Sequence, residues 1–272
     1  MYLASRKEIA REIGTLWQRN ATRFGGVPLH PSGERSYFEF VADNAGELDA
    51  RRRWQMVFQQ TLIATIVLGL FVSNTASSIS MVRARPRALA TWCCLLQSVA
   101  GIMCAVYVLT TGAPGGPSCR EILWVMTACI RINDLCGSTV LLQKAYIARG
   151  SSRWLLAFIP VVAVAPIPIL YATWSSPAIL NSTSGGCVFI YPIYFPWMRF
   201  GFHAPINLAL TVIFIDVAYR QYQRFGSDAW RKLARDGIQV GLLLLVVNML
   251  CTFAIALEVF GIYSIALTIV EW

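Results

Sequence analysis

The sequence predicts an all-α fold: a polytopic helical membrane bundle with six complete transmembrane helices and a partial seventh. Three observations predict it. Long apolar segments closed by short polar loops run from Trp54 to the last residue. Hydrophobic residues make up 56% of the 272-residue chain and charged ones only 14%, with a mean hydropathy of +0.56, where a soluble domain would carry about 25% charged residues. The basic side chains also gather in tight groups beside segment ends rather than on one continuous face. Because lipid cannot satisfy a backbone amide, each apolar segment has to be a helix.

Residues 1–53 form a polar amino-terminal arm. Ile9, Ile13, Leu16 and Trp17 recur there at helical spacing among Arg6, Lys7, Arg11 and Arg19. This stretch reads either as a short amphipathic helix on the membrane surface or as a partly disordered tail whose helix is transient. Residues 25–36, with Gly25, Gly26, Pro28, Pro31 and Gly33, read as loop. No cleavable signal peptide is expected, since the first apolar stretch of adequate length is itself the first span.

The transmembrane domain is residues 54–272. Spans at 55–81, 88–111, 122–147, 154–173, 198–219 and 237–260 each supply the roughly 20 residues that cross a bilayer core. Gly69, Ser73 and Ser77 put a small-residue face on span one, suited to close helix approach. Pro160, Pro166 and Pro168 in span four, and Pro205 in span five, are expected to bend their helices. Residues 262–272 would make about 16 Å of helix against a core of about 30 Å, and read either as an exterior or re-entrant segment or, as is expected here, as the start of a helix seven cut short. There is no internal repeat of the kind that builds many secondary transporters.

Charge, sequons and cysteines agree on orientation. The loops after spans one, three and five carry Arg83, Arg85 and Arg87, then Arg149 and Arg153 with Lys144 close by, then Arg220, Arg224, Arg231, Lys232 and Arg235; those after spans two and four offer only Arg120 and Arg199. The positive-inside rule makes the odd loops cytoplasmic and the amino terminus extracellular. Arg51, Arg52 and Arg53 run against this pattern, matching the three arginines at the other end of span one. The glycosylation sequons at Asn20 and Asn181 fall on the exterior side. Of eight cysteines, six lie inside spans, where a thiol packs as a small apolar group. Cys119 and Cys187 alone stand in exterior, oxidising loops, so a disulfide between them is expected.

An outside amino terminus, a bridge from the top of span three to the loop after span four, and basic inner loops resemble the seven-helix receptors that couple to G proteins. Asn74 in span one and Phe202-x-x-Pro205 in span five look like rhodopsin-class residues, whereas Gln143-Lys144-Ala145 replaces the Asp/Glu-Arg-Tyr of that class. Span two has no aspartate, span four no central tryptophan and span six no Trp-x-Pro. Closer is the resemblance to an uncharacterised group of fungal seven-helix integral membrane proteins. It is carried by Gly186-Cys187-Val188, Tyr191-Pro192 with Phe195-Pro196-Trp197, Tyr219-Arg220-Gln221-Tyr222 with Phe225-Gly226-Ser227, and Leu233-Ala234-Arg235-Asp236-Gly237. It covers residues 119–272 and implies an architecture and a receptor-like role in the plasma membrane, with no activity to transfer.

Arg131 and Asp134 are the charged residues that most need an explanation, since an ionised group at mid-bilayer costs several kcal/mol unless paired or wetted. At i, i+3 they share a helix face and can neutralise each other. They read either as part of a polar cavity for a ligand headgroup or ion, together with Asn133, His203 and Asn248, or as a structural pair that locks helix three to its neighbours. No enzyme is expected. His30 and His203 are the only histidines and stand in unrelated contexts, so no metal site is predicted. No nucleophile elbow or phosphate loop is present. Lys7, Lys144 and Lys232 all lie in the arm or near the inner surface, so no retinal and no other cofactor is expected.

The function these features predict is that of a receptor-like protein sensing an extracellular or lipidic ligand. The segment from Arg220 to Arg235 would couple to a cytoplasmic signalling protein such as a G protein through Arg220, Arg224, Trp230, Arg231, Lys232 and Arg235, residues that read equally as positive-inside anchors. The lipid bilayer is the other expected partner. Nucleic acid is not, because the +9 charge sits beside span ends. The alternatives are a small transporter or channel using Arg131 and Asp134 as its polar pathway, and a non-signalling membrane scaffold.

Overall fold

A computed structural model of the chain describes residues 14, 16–19, 21–24, 26–43, 47–148, 153–181, 186–225, 243, 246–259 and 267. Of the helical pattern expected in the arm, Leu16 and Trp17 fall in a 3-10 turn, Leu16–Arg19, and Ile9 and Ile13 lie outside the described residues. A short hairpin of β1 (Arg23–Phe24) and β2 (Val27–Pro28) follows, with Gly26 in the turn at φ 84°, a conformation that favours glycine. After a second 3-10 turn at Pro31–Gly33 comes helix α1 (Tyr37–Ala42). Ser36 and Glu39 close its first turn reciprocally: the Glu39 N–H donates to Ser36 Oγ at 3.1 Å and the Ser36 N–H to Glu39 Oε2 at 3.4 Å. Tyr37 and Val41 are buried beneath it.

The long helices follow: α2 (Glu47–Ala84), α3 (Leu89–Thr110), α4 (Cys119–Ala148), α5 (Phe158–Val164), α6 (Pro166–Ser175) and, after the antiparallel hairpin of β3 (Ala178–Asn181) and β4 (Gly186–Phe189), α7 (Phe195–Phe225). Among the described residues four helices are long and apolar enough to cross a membrane: Arg53–Ala84, Leu89–Thr110, Cys119–Gln143 and Leu155–Ser175. By length and composition the chain is therefore a multi-pass membrane protein. The fourth of these is divided into α5 and α6, because Pro166 and Pro168 bring no N–H to the helical ladder. The expected fifth span lies within α7. Of the sixth, helix α8 (Val246–Ala256) is described, and the expected seventh lies, apart from residue 267, outside the described residues.

Packing is inverted relative to a soluble bundle. Large side chains such as Leu62, Ile66, Leu70, Trp92, Leu96 and Met103 are exposed, while the inward face of α3 is Cys93, Ser98, Ala100, Gly101, Cys104 and Ala105. An exposed apolar area of this extent would aggregate in water and is at home in lipid. Small inward residues allow α3 to approach α2 and α4 closely, which matters where no water drives the helices together. Helix α4 stands in the middle, packed against α3, α5, α6, α7 and both strands of the second hairpin.

The small-residue face of span one is not the face that meets α3. Gly69, Ser73 and Ser77 are exposed, and α2 meets α3 instead through its Ala64, Phe71 and Ser78 side. The ring of Phe71 lies flat on Gly101, where an added Cβ would come within 2.5 Å of three ring atoms. Periodicity identified a face, but a different stripe of the same helix forms the seam. Gly101→Ala is expected to lower stability by about 1 to 3 kcal/mol, whereas Gly69→Ala, with open space around the added methyl, should be neutral or slightly stabilising. Thermal unfolding of both variants in lipid nanodiscs checks the contrast.

Candidate functional site

Arg131 and Asp134 are described on α4 as an ion pair, Nη1 to Oδ2 at 2.8 Å, with side chains 8% and 18% exposed. They lie about 18 to 23 Å along the helix from Cys119, near the middle of a bilayer. The other residues expected to share a cavity with them are engaged elsewhere. Asn133 meets Gln97 of α3, whose Nε2 donates to Asn133 Oδ1 at 2.7 Å and to its carbonyl at 3.2 Å. Asn248 of α8 accepts from Asn207 Nδ2 of α7 at 3.3 Å, and Thr252 Oγ1 donates to the Asn248 carbonyl at 2.6 Å. The side chain of His203 lies outside the described residues. These contacts tie α3 to α4 and α7 to α8, which is what polar groups do as interhelical glue. Gln97 and Asn207 escaped the sequence reading, although an amide inside an apolar span is itself the signal.

A second constellation, at the end of the bundle where α4 begins, is built from the arm. Cys119 and Cys187 stand at disulfide distance, Cα atoms 5.5 Å apart, and are bridged. The bridge fastens β4 to the first turn of α4. Phe189, Tyr191 and Phe195, buried with ring centroids 5.4 to 5.9 Å apart, fasten the same hairpin to α6 and α7. The arm then lies against this platform: the Cys119 N–H donates to the Arg35 carbonyl at 3.3 Å, Ser36 and Ser118 form a β-bridge, and Gly33 packs so closely on Ala178 that a Cβ would meet its carbonyl oxygen at 2.5 Å. Over the described residues 26–36 the sequence expectation of loop holds only as a lack of long elements, since they make a folded cap.

Two arginines hold the cap down. Arg120, 6% exposed, pairs with Glu34 at 2.9 Å and donates from Nη2 to the His30 carbonyl at 3.2 Å. Arg53, 9% exposed, donates from Nη1 to the Phe40 carbonyl at 2.6 Å, and its guanidinium carbon lies 4.2 Å from the centre of the Phe40 ring. His30 Nδ1 accepts from the Ser32 N–H at 3.3 Å and lies 2.6 Å from Ser32 Oγ, while the Trp17 ring meets the imidazole edge-on at 4.8 Å. Burial, and after it the charge of Arg120, holds the His30 ring below the ordinary histidine range.

Arg83, Arg85 and Arg87, at the other end, are exposed. Arg220 and Arg224 fall in the last turns of α7, with side chains outside the described residues, as are Trp230, Arg231, Lys232, Arg235 and Asn20 altogether. Asn181 ends β3 opposite Gly186, at the tip of the second hairpin. Asn74 and Phe202 are both exposed, so neither points into the bundle as the rhodopsin-class comparison implies. A recess of about 630 Å³ runs along α2 beside Arg51, Trp54, Gln55, Phe58 and Gln59, a grouping of arginine and aromatic rings suited to the headgroup level of a bilayer. No family model matches the chain, and no curated protein matches it.

Removing one charge of the Arg131–Asp134 pair leaves the other unbalanced in a low-dielectric interior. Asp134→Asn is expected to cost roughly 3 kcal/mol, and a double change of Arg131 to Met and Asp134 to Leu should recover much of that loss. Thermal unfolding of the single and double variants in nanodiscs measures both.

Proposed function

We propose that this chain is a receptor-like seven-helix protein of the plasma membrane, with its amino terminus and cap outside the cell and its arginine-bearing loops in the cytoplasm. One observation carries the orientation. Beside the span ends at the capped end Arg53, Arg120 and Arg199 are 9%, 6% and 1% exposed and Arg51 is exposed, as are Arg19, Arg23 and Arg35 of the arm, which share that end with Glu34, Glu39 and Asp43, whereas Arg83, Arg85 and Arg87 at the other end are all exposed. The positive-inside rule concerns charges free to meet the cytoplasmic leaflet, and a cation folded into protein contributes little to that choice. The Arg51 to Arg53 cluster, which opposes the rule by count, loses Arg53 to the cap. A disulfide at the same end calls for an oxidising compartment.

The receptor reading draws support from the division of labour between the two ends. A bridged hairpin and a folded arm cover one end, and α7, about 45 Å long, runs from that hairpin toward the basic segment Arg220 to Arg235. We read Arg220, Arg224, Trp230, Arg231, Lys232 and Arg235 as the surface offered to a cytoplasmic signalling protein such as a G protein, and the family as the fungal seven-helix group. Closure of the Arg131–Asp134 pair at 2.8 Å favours a structural lock over a transport pathway. We assign the chain no catalysis.

Glycosylation in microsomes tests the orientation: Asn181→Gln should abolish a glycosidase-sensitive mobility shift, and a sequon placed between Arg220 and Arg235 should stay unmodified. Modification of the engineered site would overturn the orientation. Glutamine at Arg220, Arg224, Arg231, Lys232 and Arg235 together should abolish association with purified G-protein α-subunits in nanodiscs. Absence of association in the unaltered protein would overturn the coupling reading.

A further inference from the structure

The contacts of His30 place a titratable ring at the centre of the cap. A backbone N–H can only donate, so His30 Nδ1, which accepts from Ser32 N, carries a lone pair, and the ring is neutral with its proton on Nε2. That acceptor caps the Pro31–Gly33 turn. The His30 carbonyl meanwhile receives both the Gly33 N–H, at 3.0 Å, and Arg120 Nη2, at 3.2 Å. The turn is thus fixed to the first turn of α4 through Arg120 and to β3 through the Gly33–Ala178 contact.

We propose that the cap is an acid-released latch, in which protonation of His30 at Nδ1 removes the acceptor of the Ser32 N–H and sets a second cation beside Arg120, loosening the arm from α4 and β3. The Ser32 hydroxyl can rotate to accept from the new N–H, but the backbone N–H cannot, and is left without its partner. Among the described residues the charged groups around the ring are Arg120 and Glu34. Arg120 opposes protonation, and Glu34, which would favour it, is engaged with Arg120 at 2.9 Å. Trp17 contributes an uncharged ring edge, and the strand packed on the turn, Ala178–Asn181, carries no ionisable side chain.

The direction of the pH effect follows. The closed cap holds the ring below its ordinary value of 6.5, so above that value the ring is neutral whether the cap is open or closed, and the latch is at full strength. As pH falls below it, the open cap takes up the proton first and gains on the closed form. The loss levels off once pH passes below the closed-state value. Each unit by which closure depresses the ring multiplies the final open-to-closed ratio about tenfold.

Hydrogen exchange of the full chain in nanodiscs, comparing wild type with His30→Asn, tests the latch. Asparagine offers an acceptor at similar reach, caps a turn well and cannot be protonated in this range. Because intrinsic exchange rates cancel when the two proteins are compared at one pH, peptides over residues 29–36 and 117–122 should exchange alike at about pH 7.5. At about pH 5, below the histidine range, wild type should exchange several-fold faster. Equal exchange at the lower pH, or an excess already present at the higher one, overturns the proposal. A titration of the two histidine rings by NMR needs no change at position 30, since His203→Gln assigns them. The expected result is a His30 midpoint below 6.5 with cap amides shifting at the same pH; a midpoint at or above it, or unresponsive cap amides, overturns the latch.

Discussion

Helix α4 can occupy the middle of the bundle because its neighbours reach it through small side chains. Cys104 and Ala100 of α3 pack on Cys129 of α4, with Val125, Met126 and Ile132 around them. In water such a seam would be a poor core, since each thiol or methyl buries little area. In lipid the outward leucines and isoleucines gain nothing by turning inward, so what distinguishes the packed state is close contact and satisfied polar groups. The Gln97–Asn133 pair supplies the second of these at the same seam. The Phe71–Gly101 contact then extends close approach to α2, and the three helices become one layer.

Charge follows the same constraint. A cation in the protein interior has to be matched locally, and the matches divide by depth. Arg131 uses a carboxylate one turn away on its own helix, the cheapest arrangement in sequence because it requires no partner to arrive from elsewhere. Arg120 and Arg53 use backbone carbonyls and a carboxylate from the arm. The arm is therefore not an appendage to a finished bundle, since it supplies the acceptors that let arginines sit buried at the capped end.

That division also explains which parts were legible in the sequence. The four spans were legible because hydropathy over some twenty residues is an additive property that neighbours cannot reverse. The Cys119–Cys187 bridge was legible by elimination, and the broken fourth span from its prolines. The Arg131–Asp134 pair was legible because it is local. Asn133 was singled out, but its partner stands 36 positions away on another helix, and no spacing rule joins them. The stripe Gly69, Ser73 and Ser77 had the right chemistry and faced the wrong way, because periodicity fixes a face without naming the neighbour. Ser36 and Glu39 carried a readable capping-box signal, hidden by the glycines and prolines that precede it. Counting arginines missed the cap altogether, since the count treats buried Arg53 and exposed Arg83 as equals.

Among the described residues, two neighbouring positions carry several of the contacts between cap and bundle. Cys119 holds the hairpin through its sulfur and the arm through its N–H, and Arg120 beside it holds Glu34 and the His30 carbonyl. Both belong to the first turn of α4, the helix that contacts most of the others. The same helix carries the Arg131–Asp134 pair and the Gln97 contact further along. For such an arrangement to act as a switch, the cap must have two arrangements of comparable free energy and a group that favours one of them. A half-buried neutral histidine beside a buried arginine is the kind of group that can do so, because one proton changes both its hydrogen bond to Ser32 and its repulsion from Arg120, and both changes act in the same direction.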